Sequence, residues 1–264
     1  MKAAFFKTVF LTAILIAAFS AVFAQTAPTA ETFVGETLKY EGKGSKLKLS
    51  VAVADLTFTA SRAANSTDLV IKSEAISKGS LLKLFRFSFL QQYESTADLA
   101  ALRIFKTAKH DVQKQRVRES LAVFDYGEKM VSYVETDPKD PNRPPRKIAS
   151  AIGEQVLDMI SAIYAVRMQP LAVGKKFEFT VSDSGLVFKV PVKVIARELQ
   201  NTVLGKVWCF RVEPEIFGKG RLIERDGKMT IWMTDDARHT PVRSQIKTDF
   251  GKFDVKLKSS VVAK

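Results

Sequence analysis

The chain has 264 residues, 46% of them hydrophobic, and carries 41 Lys and Arg against 28 Asp and Glu, a formal net charge of +13. That length and apolar content allow a full core in one domain or in two small ones. A single cysteine, Cys209, excludes an intramolecular disulfide, so stability must come from packing.

Lys2 and Lys7 precede an apolar run from Val9 to Phe19, and Val22-Phe23-Ala24 offers small residues for cleavage before Gln25. This is the pattern of a secretory signal peptide. The run is short for a spanning helix and no stop-transfer cluster follows it. No Cys stands at the cleavage site, which argues against a lipid anchor. Residues 1–24 are therefore expected to be removed on export, leaving 25–264 as a single β-rich domain in the periplasm or outside the cell. Loss of Lys2 and Lys7 takes the net charge from +13 to +11. A basic chain in that compartment meets phospholipid head groups, lipopolysaccharide and anionic wall polymer rather than nucleic acid. The clusters at Lys43/Lys46/Lys48, Lys106–Arg118 and Arg143–Lys147 also read as solvated strand faces.

Along the chain, period-two alternation dominates. Leu47, Leu49, Val51 and Val53 alternate with Lys46, Lys48 and Ser50, and Leu56 and Phe58 then take the opposite parity, which predicts a bulge or a change of face. Ser80 to Tyr93 fits a short helix or a buried strand equally. Asp137 to Lys147, with four prolines, is a loop. From Ala149 to Arg167, Val156, Ile160 and Ile163 recur at helical spacing between Pro144-Pro145 and Pro170, which predicts one long amphipathic helix. Phe177 to Val181 leads into a turn at Ser182-Asp183-Ser184-Gly185, and Phe188, Val190, Val192 and Val194 return on one face. Cys209 lies in an apolar strand, where an inert thiol is expected. Lys252 to Lys258 alternates as a half-buried antiparallel strand. The expected fold is mainly β: a strongly curved antiparallel sheet, half-barrel or clam-like, with one long helix and a short one packed against it.

Residues 231–243 hold two adjacent aspartates, two arginines, His239 and Trp232, and resemble an active site at first reading. Asp235 and Asp236 are neighbours, so in a strand they face opposite sides and cannot serve as an acid–base pair. A turn between the strands 228–234 and 241–248, with Arg238 or Arg243 paired to an aspartate, explains the same residues. His110 and His239 lack Cys or Glu at metal-ligand spacing, so no metal or cofactor is expected. Asn65-Ser66-Thr67 matches a glycosylation acceptor but carries no weight here. Asp158 and Arg167 both lie beside the apolar stripe of the expected helix. Each must find a partner on the sheet, as in a helix-to-sheet salt bridge, or act as a polar anchor for an amphiphile's head group.

Six segments, taken together, resemble the exported bacterial family known as domain of unknown function 3108. They are Phe33 to Tyr40, Leu157 to Arg167, Pro170 to Gly174, Arg197-Glu198 with Thr202 to Pro214, Trp232 to Asp236, and Pro241-Val242 to Phe253. The resemblance implies a predominantly β envelope protein, similar in shape to the open half-barrels of periplasmic lipoprotein carriers. Such a likeness of fold does not fix function. The leading expectation is a non-enzymatic binding or carrier protein for a lipid-like or amphipathic ligand, with Ile160, Tyr164, Phe188, Val190 and Trp232 as pocket walls and Asp158 and Arg167 as polar anchors. The alternatives are an envelope assembly partner with a filled core, and a hydrolase of envelope polymer that would need Asp236 and His239 in one cleft.

Overall fold

The computed structural model describes residues 28–46, 49–64, 66–79, 88–249 and 251–263. The expected signal peptide, Asn65 of the glycosylation triplet and most of the ambiguous 80–93 segment lie outside the described residues; its end, Phe89 to Tyr93, is strand.

The described residues form one sheet of fifteen strands. The first eight are β1 (Glu36–Lys46), β2 (Leu49–Arg62), β3 (Leu69–Ser77), β4 (Phe89–Ala97), β5 (Ile104–Gln113), β6 (Arg116–Asp125), β7 (Met130–Thr136) and β8 (Arg146–Ala151). The rest are β9 (Leu157–Asp158), β10 (Lys176–Asp183), β11 (Leu186–Thr202), β12 (Gly205–Pro214), β13 (Gly227–Thr234), β14 (Pro241–Thr248) and β15 (Gly251–Val262). Two meanders are joined where β1 pairs with β15, giving the order β8-β7-β6-β5-β4-β3-β2-β1-β15-β14-β13-β12-β11-β10-β9. Among the described residues the strand pairs are antiparallel except the short β9–β10 pair, and an isolated bridge between Phe217 and Ile223 is also parallel. The sheet is not closed into a barrel, and β8 and β9 are its edges. Ser150 Oγ on β8 donates to the Gly185 carbonyl in the β10–β11 turn at 2.6 Å.

The strand signals in the sequence carry over. Gly42 pairs with Ala54 while Lys43 pairs with Ala52, so a bulge falls at Val53, where the apolar parity of β2 switches. Ser184 (φ 51°) and Gly185 (φ 80°) form the two-residue hairpin turn, both left-handed as a primed turn requires. Gly185 is also required by contact: a Cβ there would stand 2.6 Å from Tyr133 Cβ.

The long helix does not form. Ala149 to Ala151 instead pair with β7 as part of β8, Val156 and Leu157 are buried outside any helix, and α1 spans only Ser161–Arg167. The helical spacing of Val156, Ile160 and Ile163 is not that of one helix: Val156 and Ile160 precede α1 and pack in one core, whereas Ile163 lies on α1 and faces a cavity. The helix start is set by Asp158, whose Oδ1 accepts from the backbone N–H groups of Ile160 at 3.1 Å and Ser161 at 2.8 Å. The other helical element among the described residues is a 3-10 turn at Ala30–Phe33. One core cluster joins Leu69, Ile71, Ile104, Phe124 and Val131 to Val156, Leu157, Ile160 and Tyr164. A second joins Val190, Val192, Val194, Val212 and Met233 to Val166 and Leu171.

Candidate functional site

At the C-terminal end of α1, Arg167 is fully buried and so is Glu36 at the start of β1. Arg167 Nη1 and Nη2 donate to the two Glu36 carboxylate oxygens at 2.6 and 2.8 Å. Arg238 Nη2 adds a third donor to Glu36 at 2.9 Å, and Arg167 Nε donates to the Arg238 carbonyl at 3.1 Å. The guanidinium carbon lies 4.1 Å from the Phe33 ring centroid and 5.0 Å from that of Tyr164. His239 Nδ1 stands 2.7 Å from the Arg167 carbonyl; since a carbonyl only accepts, that nitrogen carries the proton. This is the helix-to-sheet salt bridge expected for Arg167. Asp158 makes no such pair. It is buried, and its Oδ2 accepts from Thr107 Oγ1 at 2.6 Å and from Ser95 Oγ.

The segment 231–243 is a strand, a turn and a strand. Asp236 Oδ1 accepts from Thr234 Oγ1 at 2.9 Å and from the N–H groups of Arg238 at 2.9 Å and His239 at 3.1 Å. Asp235 pairs with Arg197 at 2.5 Å. The arginines of the segment take other carboxylates than those expected: Arg238 takes Glu36, and Arg243 holds Asp254 at 2.7 and 2.8 Å. His110 lies elsewhere, 3.3 Å from Glu119. Among the described residues no three His, Cys, Asp or Glu side chains are placed to hold a metal ion.

Above this knot lies an apolar cavity of about 180 Å³. Its floor is five neighbouring strands in the order β2-β1-β15-β14-β13, contributing Leu56, Phe58, Leu38, Tyr40, Val255, Ile246, Met229 and Ile231. Ile163, Tyr164 and Arg167 of α1 cover it, and Pro241, Arg243 and Ser244 complete the wall. Tyr40 donates its hydroxyl to the Pro241 carbonyl at 2.8 Å. The Tyr164 hydroxyl is buried without a partner. Burial pushes both phenols well above their ordinary value, so both stay protonated.

Of the pocket-wall and anchor candidates expected from the sequence, Tyr164 and Arg167 line this cavity and Ile160, Phe188, Val190, Trp232 and Asp158 do not. Ile160 packs into the core beside β3 to β7, and Phe188 and Val190 pack with Val166 and Leu171. Trp232 is buried with Cys209, Val242 and Leu257; its indole N–H donates to Glu198, and the Arg243 guanidinium lies 4.8 Å from its ring centroid. Cys209 is buried; burial, and then the carboxylates of Asp236, Asp235 and Glu198, pushes its thiol up to about 12. The cavity residues of β1, β2 and β13 to β15 were not found from the sequence. Their alternation is visible there, but the β1–β15 pairing that gathers them is not.

No curated protein matches the chain. Among solved structures it is similar to the crystal structure of a beta-barrel-like protein of domain of unknown function DUF1849 from Brucella abortus. The identity is 10% and the TM-score 0.57, over 88% of this chain and 99% of the other, a likeness of fold alone. The family model described as protein of unknown function (DUF3108) matches residues 37–258, as the six segments had suggested, and the chain belongs to that family.

Proposed function

We propose that the protein is a non-enzymatic binding or carrier protein whose ligand places an apolar group in the cavity beneath α1. The observation that carries this reading is the cavity itself: about 180 Å³, walled by Leu, Ile, Val, Met and aromatic side chains. A dry cavity of ~150 Å³ with such walls suffices to bind benzene. The space therefore takes a short hydrocarbon segment, with the rest of an amphipathic molecule outside it. The contact between Ser150 on β8 and Gly185 in the β10–β11 turn supports a sheet strongly curved into a half-barrel around this interior. In this reading the chain is exported, is processed near Ala24, and meets its ligand in the envelope. In this reading Arg167 holds the cover of the cavity in place, since Glu36 and the Arg238 carbonyl take three of its five N–H donors.

The test is a titration of lipid-stripped, refolded protein with N-phenyl-1-naphthylamine, a probe that brightens in apolar surroundings. Wild type is expected to bind it saturably. Ile246→Trp, which adds volume at a half-buried wall position, is expected to weaken binding about tenfold or more with little change in thermal midpoint. No saturable binding, or equal binding by the filled variant, would overturn the reading.

A further inference from the structure

The tip of the β11–β12 hairpin breaks the usual chemistry of a tight turn. Thr202 pairs with Gly205, so the two turn residues are Val203 and Leu204, where Asn, Asp and Gly are favoured. Both are exposed, at 54% and 43%. On the flank of the same hairpin, Leu199 and Trp208 are cross-strand partners and are 39% and 47% exposed. The hairpin thus carries a bare apolar tip and one exposed indole. The Arg197 guanidinium lies 4.4 Å from the Trp208 ring centroid, but folding gains nothing from leaving Val203 and Leu204 in water.

A cationic face adjoins this tip. Gln200 to Val203 form one wall of a recess of about 390 Å³, and Arg243, Lys256 and Lys258 stand on the other. The recess opens onto the outward face of β14, β15 and β1, where Lys247, Lys252, Lys39 and Lys43 extend the charge. Among the described residues, only the carboxylates Glu41 and Asp254 offset those seven cations on that face of the three strands. Arg243 sits directly opposite Lys256, and Lys247 opposite Lys252. Like charges so placed destabilise a sheet. Arg243 is held by Asp254 and lies over the Trp232 ring, and Lys43 and Lys258 reach Glu41, so those three cations belong to the fold. Among the described residues Lys39, Lys247, Lys252 and Lys256 reach no carboxylate, and folding alone explains neither these four nor the apolar turn.

We infer that the β11–β12 hairpin tip and the cationic face of β14, β15 and β1 form a docking surface for an anionic lipid bilayer. A bilayer supplies what the two parts need together, negative charge at its surface and hydrocarbon just beneath it. An anionic polymer would account for the lysines and leave Val203 and Leu204 in water. A second copy would cover the tip but bring two cationic faces together. The cations also spread over three neighbouring strands rather than along one line, which suits a planar partner. This inference does not depend on the cavity or its ligand.

The experiment uses the chain recovered after export and follows tryptophan emission. Only two tryptophans are present and Trp232 is buried, so a lipid-dependent change reports on Trp208. Mixed phosphatidylcholine–phosphatidylglycerol vesicles are expected to sediment the protein, shift its emission to the blue and, when brominated, quench it. Phosphatidylcholine alone should do neither, and added salt should weaken binding. Val203→Asp with Leu204→Asp, and separately Lys256→Glu with Lys258→Glu, should each reduce vesicle binding about tenfold or more. Val203 and Leu204 are exposed turn residues, so the thermal midpoint of that pair should hold. The reversed lysines face Glu41, so Lys256→Gln with Lys258→Gln, which removes the charge without adding repulsion, should also reduce binding and should hold the midpoint. Reversing two exposed lysines elsewhere, Lys106 and Lys175, should leave binding within about twofold. Three results would overturn the inference: no binding to the mixed vesicles, retention on heparin with no vesicle-induced change in Trp208 emission, or a concentration-dependent dimer that the Val203/Leu204 pair abolishes.

Discussion

Glu36 and Arg167 meet as a fully buried bidentate pair, joining the first strand to the last residue of the short helix. A carboxylate and a guanidinium out of water are tolerable only together, since each alone would bear the full desolvation cost. Glu36→Gln should therefore cost about 3–5 kcal/mol in urea unfolding, because it leaves Arg167 charged and buried. Arg167→Met should cost somewhat less, because Arg238 remains to hold Glu36. A double change, Glu36→Leu with Arg167→Met, should recover part of the loss. If the double variant were the sum of the singles, the pairing would not be the source of the effect.

The β class, the bulge at Val53, the turn at Ser184-Gly185 and the turn after Thr234 were all legible, because each is written in local alternation or turn chemistry. The segment 149–167 was not. Val156, Ile160 and Ile163 are buried or half-buried for separate reasons, and only their spacing looked helical. The cavity was legible only through Tyr164 and Arg167. Its floor depends on β1 lying beside β15, a pairing between opposite ends of the chain that no local signal carries. Glu36 was missed for the same reason: a lone acid at the start of a strand looks solvated until Arg167 is brought to it.

Asp158 holds three elements at one point. Its Oδ1 takes two N–H groups at the start of α1, and its Oδ2 takes the Ser95 hydroxyl of β4 and the Thr107 hydroxyl of β5. Asp158→Ala frees all four donors in a buried place and should cost about 3 kcal/mol or more. Asp158→Asn keeps one acceptor oxygen and should cost less, about 1–2 kcal/mol. Urea midpoints measure both. Equal costs for the two variants would mean that lost volume, not lost acceptors, is responsible.

Cys209 sets an alkaline limit. An unfolded thiol loses its proton near its ordinary value of 9.0, whereas in the folded chain it is pushed up to about 12. Between those values the folded chain binds more protons than the unfolded one, so stability falls as pH rises. The contribution is complete below about pH 9 and is lost progressively towards pH 12; the raised phenols of Tyr40 and Tyr164 act in the same direction. Urea midpoints should hold from neutral pH to about 9 and then decline, and Cys209→Ser should shallow that decline. In the folded chain Ellman's reagent should react on the order of a hundredfold more slowly than in urea.

The two adjacent aspartates separate turn chemistry from catalysis most directly. Asp236 accepts three hydrogen bonds with one oxygen and fixes His239 in a left-handed conformation, φ 43°. That conformation in turn places the His239 ring against the Arg167 carbonyl. Asp235 makes a half-exposed ion pair with Arg197. Asp236→Ala should therefore cost about 2 kcal/mol or more, while Asp235→Ala should cost under about 1 kcal/mol. A pair retained for acid–base chemistry would show the opposite pattern, with little effect on stability from either change. Equal and negligible costs in thermal unfolding would return this stretch to the list of catalytic candidates. The ordering Asp236 far above Asp235 would make it the turn that carries Arg238 and His239 to Glu36 and Arg167.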